Sequence, residues 1–272
     1  MKQTVKLMLA LILLFAVALC PAEAAKSKAT AKSKATVAPE ATEAPKEQKV
    51  RLIAHRGGAR WPENTLEAFE NFPSTGADAV ELDLRSTKDG AQVILHDEML
   101  EVKGDEVAVV EQTLDEVRAL VPSVCTLDEA LDVIAPSGKD IYLHLKETAD
   151  GEYCARAVLE RDLGERTYFF SRFEPPLKQV YEVDPEAKLG LSFEKEGKAI
   201  GKSVEKKVNA LHLSFLVVHK DFVYTKLVKF WHKREVEVVA WTVNDRMDAK
   251  WLGKKGVDAM ITDYPEKVRD AK

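Results

Sequence analysis

The sequence contains few cysteines and has no excess of positive charge. Only three of the 272 residues are cysteine, which excludes a small fold held together by a dense set of disulfides. Basic side chains number 40 against 45 acidic ones, and residues 50–272 carry 32 of the bases and 41 of the acids. Because binding to a phosphate backbone requires a clustered excess of Lys and Arg, we expect no nucleic-acid partner.

No apolar run in the chain is long enough to cross a membrane. The longest, Leu7–Leu19, has 13 residues, whereas a spanning helix needs about 20. A short basic segment precedes this run and small residues follow it at positions 21–25, which is typical of a secretory signal peptide. We therefore predict a signal peptide over residues 1–25 and export to the periplasm or the medium. Alternatively, residues 17–20 resemble a bacterial lipoprotein box, which would attach a lipid to Cys20.

Residues 26–49 differ in composition from the rest of the chain. They consist mainly of Ala, Lys, Thr, Ser, Pro and Glu, contain no aromatic residue, and repeat Ser27–Thr30 as Ser33–Thr36. Such a segment cannot bury enough apolar area to offset the entropy of ordering it. We therefore predict a disordered, low-complexity linker over 26–49. This tether is also the expected route to any association with the cell envelope or a membrane surface.

The remaining residues, 50–272, are expected to form one globular domain. Two cysteines, Cys125 and Cys154, remain in it after export. An oxidising compartment would allow them to form a disulfide. Because the sequence does not indicate the distance between them, a disulfide and two separate buried thiols are both open.

Short apolar runs alternate with helical patterns through this domain. Alternation over about 220 residues implies parallel strands joined by crossover helices, and eight strands in this length favour a closed (β/α)8 TIM barrel over an open doubly wound sheet. The predicted strands are Val50–Ala54, Ala79–Leu84, Ile141–Leu145, Thr167–Ser171, Ala187–Leu191, Val208–Leu213, Val236–Trp241 and Ala259–Thr262. The predicted helices, with apolar residues three and four apart, are Leu66–Phe72, Leu127–Ile134, Tyr153–Leu163, Pro176–Val183, Asp221–His232 and Arg246–Leu252.

Polar side chains gather where the predicted strands end. In a TIM barrel the carboxyl ends of the strands meet at one mouth, where active sites form. His55 and Arg56 follow the first predicted strand, and a hairpin predicted after the second strand, turning at Lys88–Gly90, ends at His96. Histidines change charge near neutral pH, and the planar guanidinium of Arg56 suits a phosphate.

Two predicted strands carry pairs of charged or titratable side chains two residues apart, so each pair lies on one face. Glu81 and Asp83 form one pair, and His144 and Lys146 form the other. Two carboxylates forced together inside a barrel need a divalent cation or a basic side chain to stay ionised. The residues therefore indicate a site that contains a metal ion or basic groups and that binds an anionic ligand.

Ordered motifs run through the domain in addition to these pairs. The early ones are His55–Gly57, Pro62–Thr65, Ala68–Phe69, Gly76–Asp78, Glu81–Asp83, Thr87–Gly90 and Val93–Asp97; the later ones are Ser171–Phe173, Ala240–Asn244 and Gly256–Pro265. Together they resemble the glycerophosphodiester phosphodiesterase family over essentially all of 50–272. The resemblance implies a TIM barrel that hydrolyses glycerophosphodiesters, its small-molecule substrates, to glycerol 3-phosphate and an alcohol with one divalent metal ion.

By this resemblance, four residues would act on the substrate. His55 and His96 would be the general acid and base pair, Arg56 would bind the phosphate, and Lys146 would stabilise charge on the phosphoryl oxygens. Negative charge gathers on these oxygens as a phosphodiester is cleaved, so cations directed at one point lower the barrier. Attack by water and attack by the neighbouring glycerol hydroxyl, through a cyclic phosphate, are both open.

The metal ligands implied by the resemblance are Glu81 and Asp83, together with the residue at position 144. The family usually has an acidic ligand there, but this chain has His144. The resemblance implies Mg2+ or Ca2+, whereas two carboxylates and an imidazole form a softer site that favours Mn2+, Co2+ or Zn2+. We therefore predict a shift in metal preference. The competing possibility is that His144 makes no metal bond and a water takes its place.

Two further residues follow from the resemblance. Glu63 would be an orienting group near the first histidine, and Trp241 would line the pocket for the glycerol or the alcohol. The connection from Met99 to Thr113 is short and lacks the family's Arg-Thr-Thr segment, so a more open mouth could admit bulkier diesters or lysophospholipids. Two different functions also stay open, namely a phospholipase D-like reaction on the same barrel and a weakly catalytic barrel that binds a phosphorylated ligand.

Overall fold

The computed structural model describes residues 49–193 and 199–269. The predicted signal peptide, Cys20 and the predicted linker up to residue 48 lie outside the described residues. The strands within the described ranges are β1 (Arg51–Ala54), β2 (Ala79–Ser86), β3 (Gln92–Ile94), β4 (Met99–Val102), β5 (Asp105–Ala108), β6 (Asp140–Leu145), β7 (Thr167–Ser171), β8 (Lys188–Phe193), β9 (Leu213–His219), β10 (Glu237–Trp241) and β11 (Ala259–Thr262). The α-helices are α1 (Leu66–Asn71), α2 (Leu114–Leu120), α3 (Leu127–Ile134), α4 (Gly151–Leu159), α5 (Glu174–Val183), α6 (Lys202–Ala210), α7 (Thr225–His232), α8 (Arg246–Lys255) and α9 (Pro265–Val268).

Eight of these strands close into a parallel barrel, in the order β1, β2, β6, β7, β8, β9, β10 and β11. The ring closes at β1, where Ile53 pairs with Ile261 of β11 on one side and with Ala79 of β2 on the other. Helices connect the successive barrel strands and pack outside them. The predicted (β/α)8 TIM barrel is therefore confirmed, and the carboxyl ends of all eight strands share one mouth.

The interior of the barrel is filled by a layer of aromatic side chains. The rings of Tyr142 and Tyr168 stack with centroids 4.4 Å apart, and Phe215 packs edge-on against them at 5.9 and 5.7 Å. Gly190 makes room for this ring, because a Cβ there would lie 2.4 Å from Phe215. The remaining members of the cluster are Ile53, Ala79, Phe170, Val217, Val239, Ala259 and Ile261. The interior is thus a packed core and not a pore.

Capping residues determine where several helices begin. The side chain of Thr65 caps α1 by accepting from the N–H of Ala68. Thr113 forms a capping box with Glu116 at the start of α2. Such caps stabilise a helix by about 1 kcal/mol. Helix α2 was not predicted, although the Thr113–Glu116 spacing was visible in the sequence.

The strand predicted at Val208–Leu213 is wrong. Helix α6 continues to Ala210, and β9 begins only at Leu213. Val204 and Val208 are both buried and lie four residues apart, which is the spacing of a helix that buries one face. The apolar residues that follow, Leu213 and Phe215–Val218, form the buried part of β9.

The hairpin predicted after β2 is present, with Leu84 opposite Ile94 in an antiparallel pair. A second hairpin, β4–β5, follows it and was not predicted; Met99 lies opposite Ala108 there. This hairpin belongs to a small separate core of Val93, Leu100, Val109, Val117 and Val124. The segment where the family resemblance fails is therefore a compact hairpin supported by its own apolar cluster.

Cys125 and Cys154 are separate buried thiols. The Sγ atom of Cys125 lies 3.7 Å from the carbonyl oxygen of Asn64, and that of Cys154 lies 4.0 Å from Oε1 of Gln92. Burial raises the pKa of the Cys125 thiol to about 12. Of the two arrangements left open by the sequence, the structure contains the unpaired one, with thiols that stay protonated at neutral pH.

Candidate active site

Strand β1 delivers His55 and Arg56 to the mouth of the barrel on a short 3-10 turn, His55–Gly57. Arg56 has a left-handed backbone with φ +52°, a conformation that costs a residue other than glycine about 1 kcal/mol. Its N–H donates to Oε2 of Glu81 at 3.1 Å, which fixes the turn against β2. Gly57 lets the turn approach α1, since a Cβ there would lie 2.5 Å from that of Ala68.

Glu81 and Asp83 lie on the inner face of β2 and are both buried. Asp83 Oδ2 accepts from the side-chain amide of Asn64 at 3.1 Å, and Oδ1 lies 2.7 Å from Nζ of Lys146. Burial would raise the pKa of Asp83, but the hydrogen bond with His144 and the charge of Lys146 hold that pKa well below its usual value. Asp83 is therefore ionised at physiological pH.

His144 and Lys146 come from β6, whose register with β2 places His144 opposite Asp83. His144 Nδ1 lies 3.0 Å from Asp83 Oδ1, 3.7 Å from Glu81 Oε1 and 3.0 Å from Lys146 Nζ. The imidazole stacks on the ring of Phe170 with centroids 4.4 Å apart and planes 12° from parallel. This stacking holds the ring with Nδ1 directed at both carboxylates.

Glu81, Asp83 and His144 have the donors and the spacing for a divalent cation. One ligand atom from each can be chosen so that all three lie within 4.8 Å of one another. Carboxylate oxygens and an imidazole nitrogen are common ligands of divalent metals, and two buried carboxylates this close require positive charge. The residues present therefore fit a metal ion.

The guanidinium of Arg56 lies between two acids. Nη1 donates to both carboxylate oxygens of Glu63 at 2.9 Å, and Nε lies 3.1 Å from Asp83 Oδ2. Nε is not aligned to hydrogen-bond that oxygen and is a buried donor without an acceptor in the described structure. Burial would lower the pKa of Arg56, but Asp83 and Glu81 raise it. Glu63 thus orients Arg56 directly, and the charged guanidinium retains a donor for an anion.

His96 stands at the end of the β2–β3 hairpin and is the more exposed of the two proposed catalytic histidines, with 40% of its side chain accessible against 16% for His55. Its Nδ1 lies 2.8 Å from Oδ1 of Asp97. Arg85, on the same face of β2 as Asp83, donates from Nε and Nη2 to the carbonyl oxygen of His96 at 3.0 and 2.8 Å. Sequence reasoning missed Arg85, although the alternation 81, 83, 85 was the available signal.

His55 is oriented by Asp263, to which sequence reasoning gave no role. His55 Nδ1 lies 2.6 Å from Asp263 Oδ1, and Nε2 lies 4.0 Å from Glu81 Oε2. Burial would lower the pKa of His55, but the bond to Asp263 and the charge of Glu81 outweigh burial and raise it. Asn244 holds Asp263 in turn through contacts of 2.5 and 2.9 Å. The place of Asp263 just after the last barrel strand was the signal for it.

These side chains line one cleft at the mouth, which encloses about 390 Å³ including space open to solvent. The lining residues are His55, Arg56, Glu81, Asp83, His96, His144, Lys146, Phe170, Ser192, Val217, Trp241 and Ile261. Trp241 forms part of the apolar wall, and its Nε1 donates to the carbonyl oxygen of Phe193 at 3.4 Å. Every residue proposed to act on substrate or bind metal is thus at the cleft, whereas Glu63 reaches it through Arg56.

Comparisons with known proteins agree with this geometry. Residues 55–267 match the glycerophosphoryl diester phosphodiesterase family. A glycerophosphodiester phosphodiesterase of Caldanaerobacter subterraneus is 30% identical over 238 residues, which span 80% of this chain and 96% of that protein. An Oleispira antarctica phosphodiesterase, solved in complex with the product sn-glycerol-3-phosphate, has a TM-score of 0.70 and 26% identity over 81% of this chain and 96% of that one. A glycerophosphodiester phosphodiesterase of Thermotoga maritima has a TM-score of 0.66 and 27% identity over 82% and 98%.

The barrel and its cleft of acids, histidines and cations define a class of hydrolase that acts on phosphoric esters. The chain belongs to the glycerophosphoryl diester phosphodiesterase family. It is therefore an enzyme, a phosphoric diester hydrolase, and the resemblance identified from the sequence motifs is confirmed.

Proposed function

We propose that this enzyme hydrolyses glycerophosphodiesters to glycerol 3-phosphate and an alcohol, with one divalent metal ion held by Glu81, Asp83 and His144. The observation that carries the proposal is the convergence of two histidines, two buried carboxylates and two fixed cations on one cleft. The Oleispira antarctica relative was solved with sn-glycerol-3-phosphate, which is the common product of this reaction.

In the proposed mechanism, His55 and His96 form the acid–base pair. Asp263 holds Nδ1 of His55 and Asp97 holds Nδ1 of His96, which leaves Nε2 of each ring to exchange a proton with the substrate. One imidazole takes a proton from the attacking oxygen, and the other gives a proton to the leaving oxygen. Two imidazoles suit this exchange because their charge changes near neutral pH.

Arg56 and Lys146 bind the nonbridging phosphoryl oxygens in this mechanism. Both cations contact Asp83, with N···O distances of 3.1 and 2.7 Å, so both charges are fixed at one side of the cleft before substrate arrives. Cations that are already in place need no reorganisation when negative charge develops. A divalent ion bound beside them supplies further neutralisation of that charge. Phe170 and Trp241 contribute apolar surface that limits water at the reacting centre.

Release of glycerol 3-phosphate from glycerophosphocholine tests the histidine roles. We expect His55→Asn and His96→Asn each to lower kcat/KM by about 10²- to 10⁴-fold, the usual contribution of general acid–base catalysis. His212→Asn is the matched control, because His212 stacks on Tyr181 before the amino end of β9 and has φ +52°, which Asn tolerates. Parental rates in both cleft variants would instead support a noncatalytic barrel or another site.

The imidazole at position 144 sets the proposed metal preference. A ligand set with one neutral imidazole is softer and carries less negative charge than three carboxylates, so Mn2+, Co2+ or Zn2+ should support more activity than Ca2+. We expect a chelator to abolish glycerol 3-phosphate release. Each ion is then titrated back into the metal-stripped enzyme and the recovered activity is measured. The variant His144→Glu should move the preference toward Mg2+ and Ca2+. Highest activity of the parent with Ca2+ would contradict this preference.

The same assay tests the alcohol half of the substrate. The segment that lacks the family's Arg-Thr-Thr sequence forms the compact β4–β5 hairpin, and we infer that a bulky alcohol or acyl group has room at the mouth. We include lysophosphatidylcholine beside glycerophosphocholine in the panel. Turnover of the lysophospholipid at a comparable kcat/KM would extend the substrate class, whereas turnover of glycerophosphocholine alone would restrict it to water-soluble diesters.

A further inference from the structure

Helix α8 carries two strongly exposed apolar side chains outside the cleft. Met247 is 74% exposed and Trp251 is 52% exposed, more than any other large apolar side chain in the described residues. Residues four apart lie on the same face of a helix, so the two side chains form one exposed strip. Because large apolar side chains are normally exposed singly, a pair on one helix face indicates a surface that contacts a membrane or another protein.

A third exposed apolar residue lies on the same side of the barrel. The Nζ atom of Lys255 contacts the carbonyl oxygen of Val223 and lies over the ring of Trp251. Lys255 therefore connects α8 to the segment that contains Tyr224, which is 37% exposed. We refer to Tyr224, Met247 and Trp251 as the apolar patch.

The stretch of chain that carries this patch is rich in basic side chains although the domain as a whole is acidic. Residues 220–256 contain nine Lys or Arg and five Asp or Glu, whereas the remainder of 50–272 contains 23 and 36. Among the acids, Asp248 is paired with Lys220, and Asp245 accepts from the N–H of Met247 at the start of α8. Lys226 and Lys250 are exposed on α7 and α8. This stretch thus carries an excess of basic side chains on an acidic domain, and exposed lysines stand on both helices beside the patch.

We propose that the apolar patch and its surrounding lysines dock this enzyme onto an anionic lipid bilayer. Trp and Tyr favour the membrane–water interface, where lysines meet anionic headgroups. Within the described residues no helix is long and apolar enough to span a bilayer. Tyr224 and Met247 follow the carboxyl ends of β9 and β10. Docking therefore holds the mouth of the barrel beside the lipid surface.

Vesicle sedimentation of the full chain tests this surface. We expect partition onto vesicles of equal phosphatidylcholine and phosphatidylglycerol, weakened by salt, and much less onto phosphatidylcholine alone. Met247→Ser with Trp251→Ser should reduce partition about tenfold, and Lys226→Gln with Lys250→Gln by a similar factor. Tyr153→Ser with Leu159→Ser is the matched control on α4, where both side chains are about 40% exposed. Equal binding by the parent and the α8 variant would overturn the proposal.

A local probe separates docking at α8 from binding by the apolar run at residues 7–19. A nitrobenzoxadiazole label is placed at Met247→Cys or, as the control, at Leu159→Cys, in a Cys20→Ser background. Cys125 and Cys154 are buried and remain unlabelled. We expect anionic vesicles to shift the emission to shorter wavelength at position 247 only. No shift there, or equal shifts at both positions, would overturn the proposal. Hydrolysis of soluble glycerophosphocholine should be unchanged, so failure here is distinct from failure of the proposed activity.

Discussion

The two ends of the barrel both collect charged and aromatic side chains, but only the mouth lines a cleft with them. At the amino end, Arg51 donates to the hydroxyl of Tyr168 at 2.6 Å and forms an ion pair with Glu237, while Lys188 lies over the Tyr168 ring. At the mouth, Arg56 keeps a buried donor without an acceptor in the described part of the chain. The charged groups at the amino end therefore pack against one another, whereas those at the mouth are paired around a cleft that can admit a ligand.

Two aspartates show what distinguishes the ends. Asp83 touches cations directly at the mouth, and its pKa lies well below the usual value despite complete burial. Asp140, at the start of β6, is half-buried, and burial raises its pKa although Arg51 and Lys188 oppose this shift from a distance. Direct contact, and not the number of nearby charges, thus decides the direction of the shift.

Removing one carboxylate charge from each end of the barrel should give the largest difference in activity between two variants. We expect Glu81→Gln to lower kcat/KM by about 10³-fold or more, because it removes a proposed metal ligand beside the developing phosphoryl charge. Glu237→Gln should leave kcat/KM unchanged and lower the free energy of unfolding by about 1 kcal/mol, since Arg51 loses a partly exposed partner. Steady-state kinetics and urea unfolding measure the two effects. Equal losses of activity would refute the division between the ends.

Arg85 tests whether the mouth depends on fixed geometry. Its guanidinium holds the backbone of His96, so Arg85→Met should lower kcat about tenfold with little change in KM, as expected when a catalytic group is displaced slightly. Arg85→Lys should recover part of kcat because one donor still reaches the carbonyl oxygen. Arg118→Met, which removes an exposed partner of Glu129, is the control. A rise in KM at unchanged kcat would show that Arg85 contacts substrate instead.

The smallest expected effect is at Asp140. Because its pKa is raised in the folded protein, folding disfavours its charged form, and this cost is present at neutral pH and disappears as the pH falls through the raised pKa. Asp140→Asn should therefore be slightly more stable than the parent at pH 7, and the two should converge in acid. Urea unfolding across this pH range measures the difference. A less stable variant at neutral pH would mean that the charged form is favoured.

The sequence predicted those parts of the molecule that depend on local patterns. The alternation of strands and helices and the pairs two residues apart are local, so the barrel and its mouth could be predicted. The contact between His55 and Asp263 was missed because the two residues are 208 positions apart and meet only when β11 pairs with β1. The strand at Val208 was misplaced because two buried valines on one helix face precede an apolar strand, with no Gly or Pro between them to mark the end of the helix.

The stacked rings beneath the cleft close it on the side of the barrel interior. Because Tyr142, Tyr168 and Phe215 fill the barrel below it, substrate enters and both fragments depart through the same opening. We therefore expect the fragment seated deeper to leave after the outer one. We expect the product that leaves last to compete with incoming substrate for the cleft. The side chains that fill the barrel thus also determine the side from which substrate and products reach the cleft.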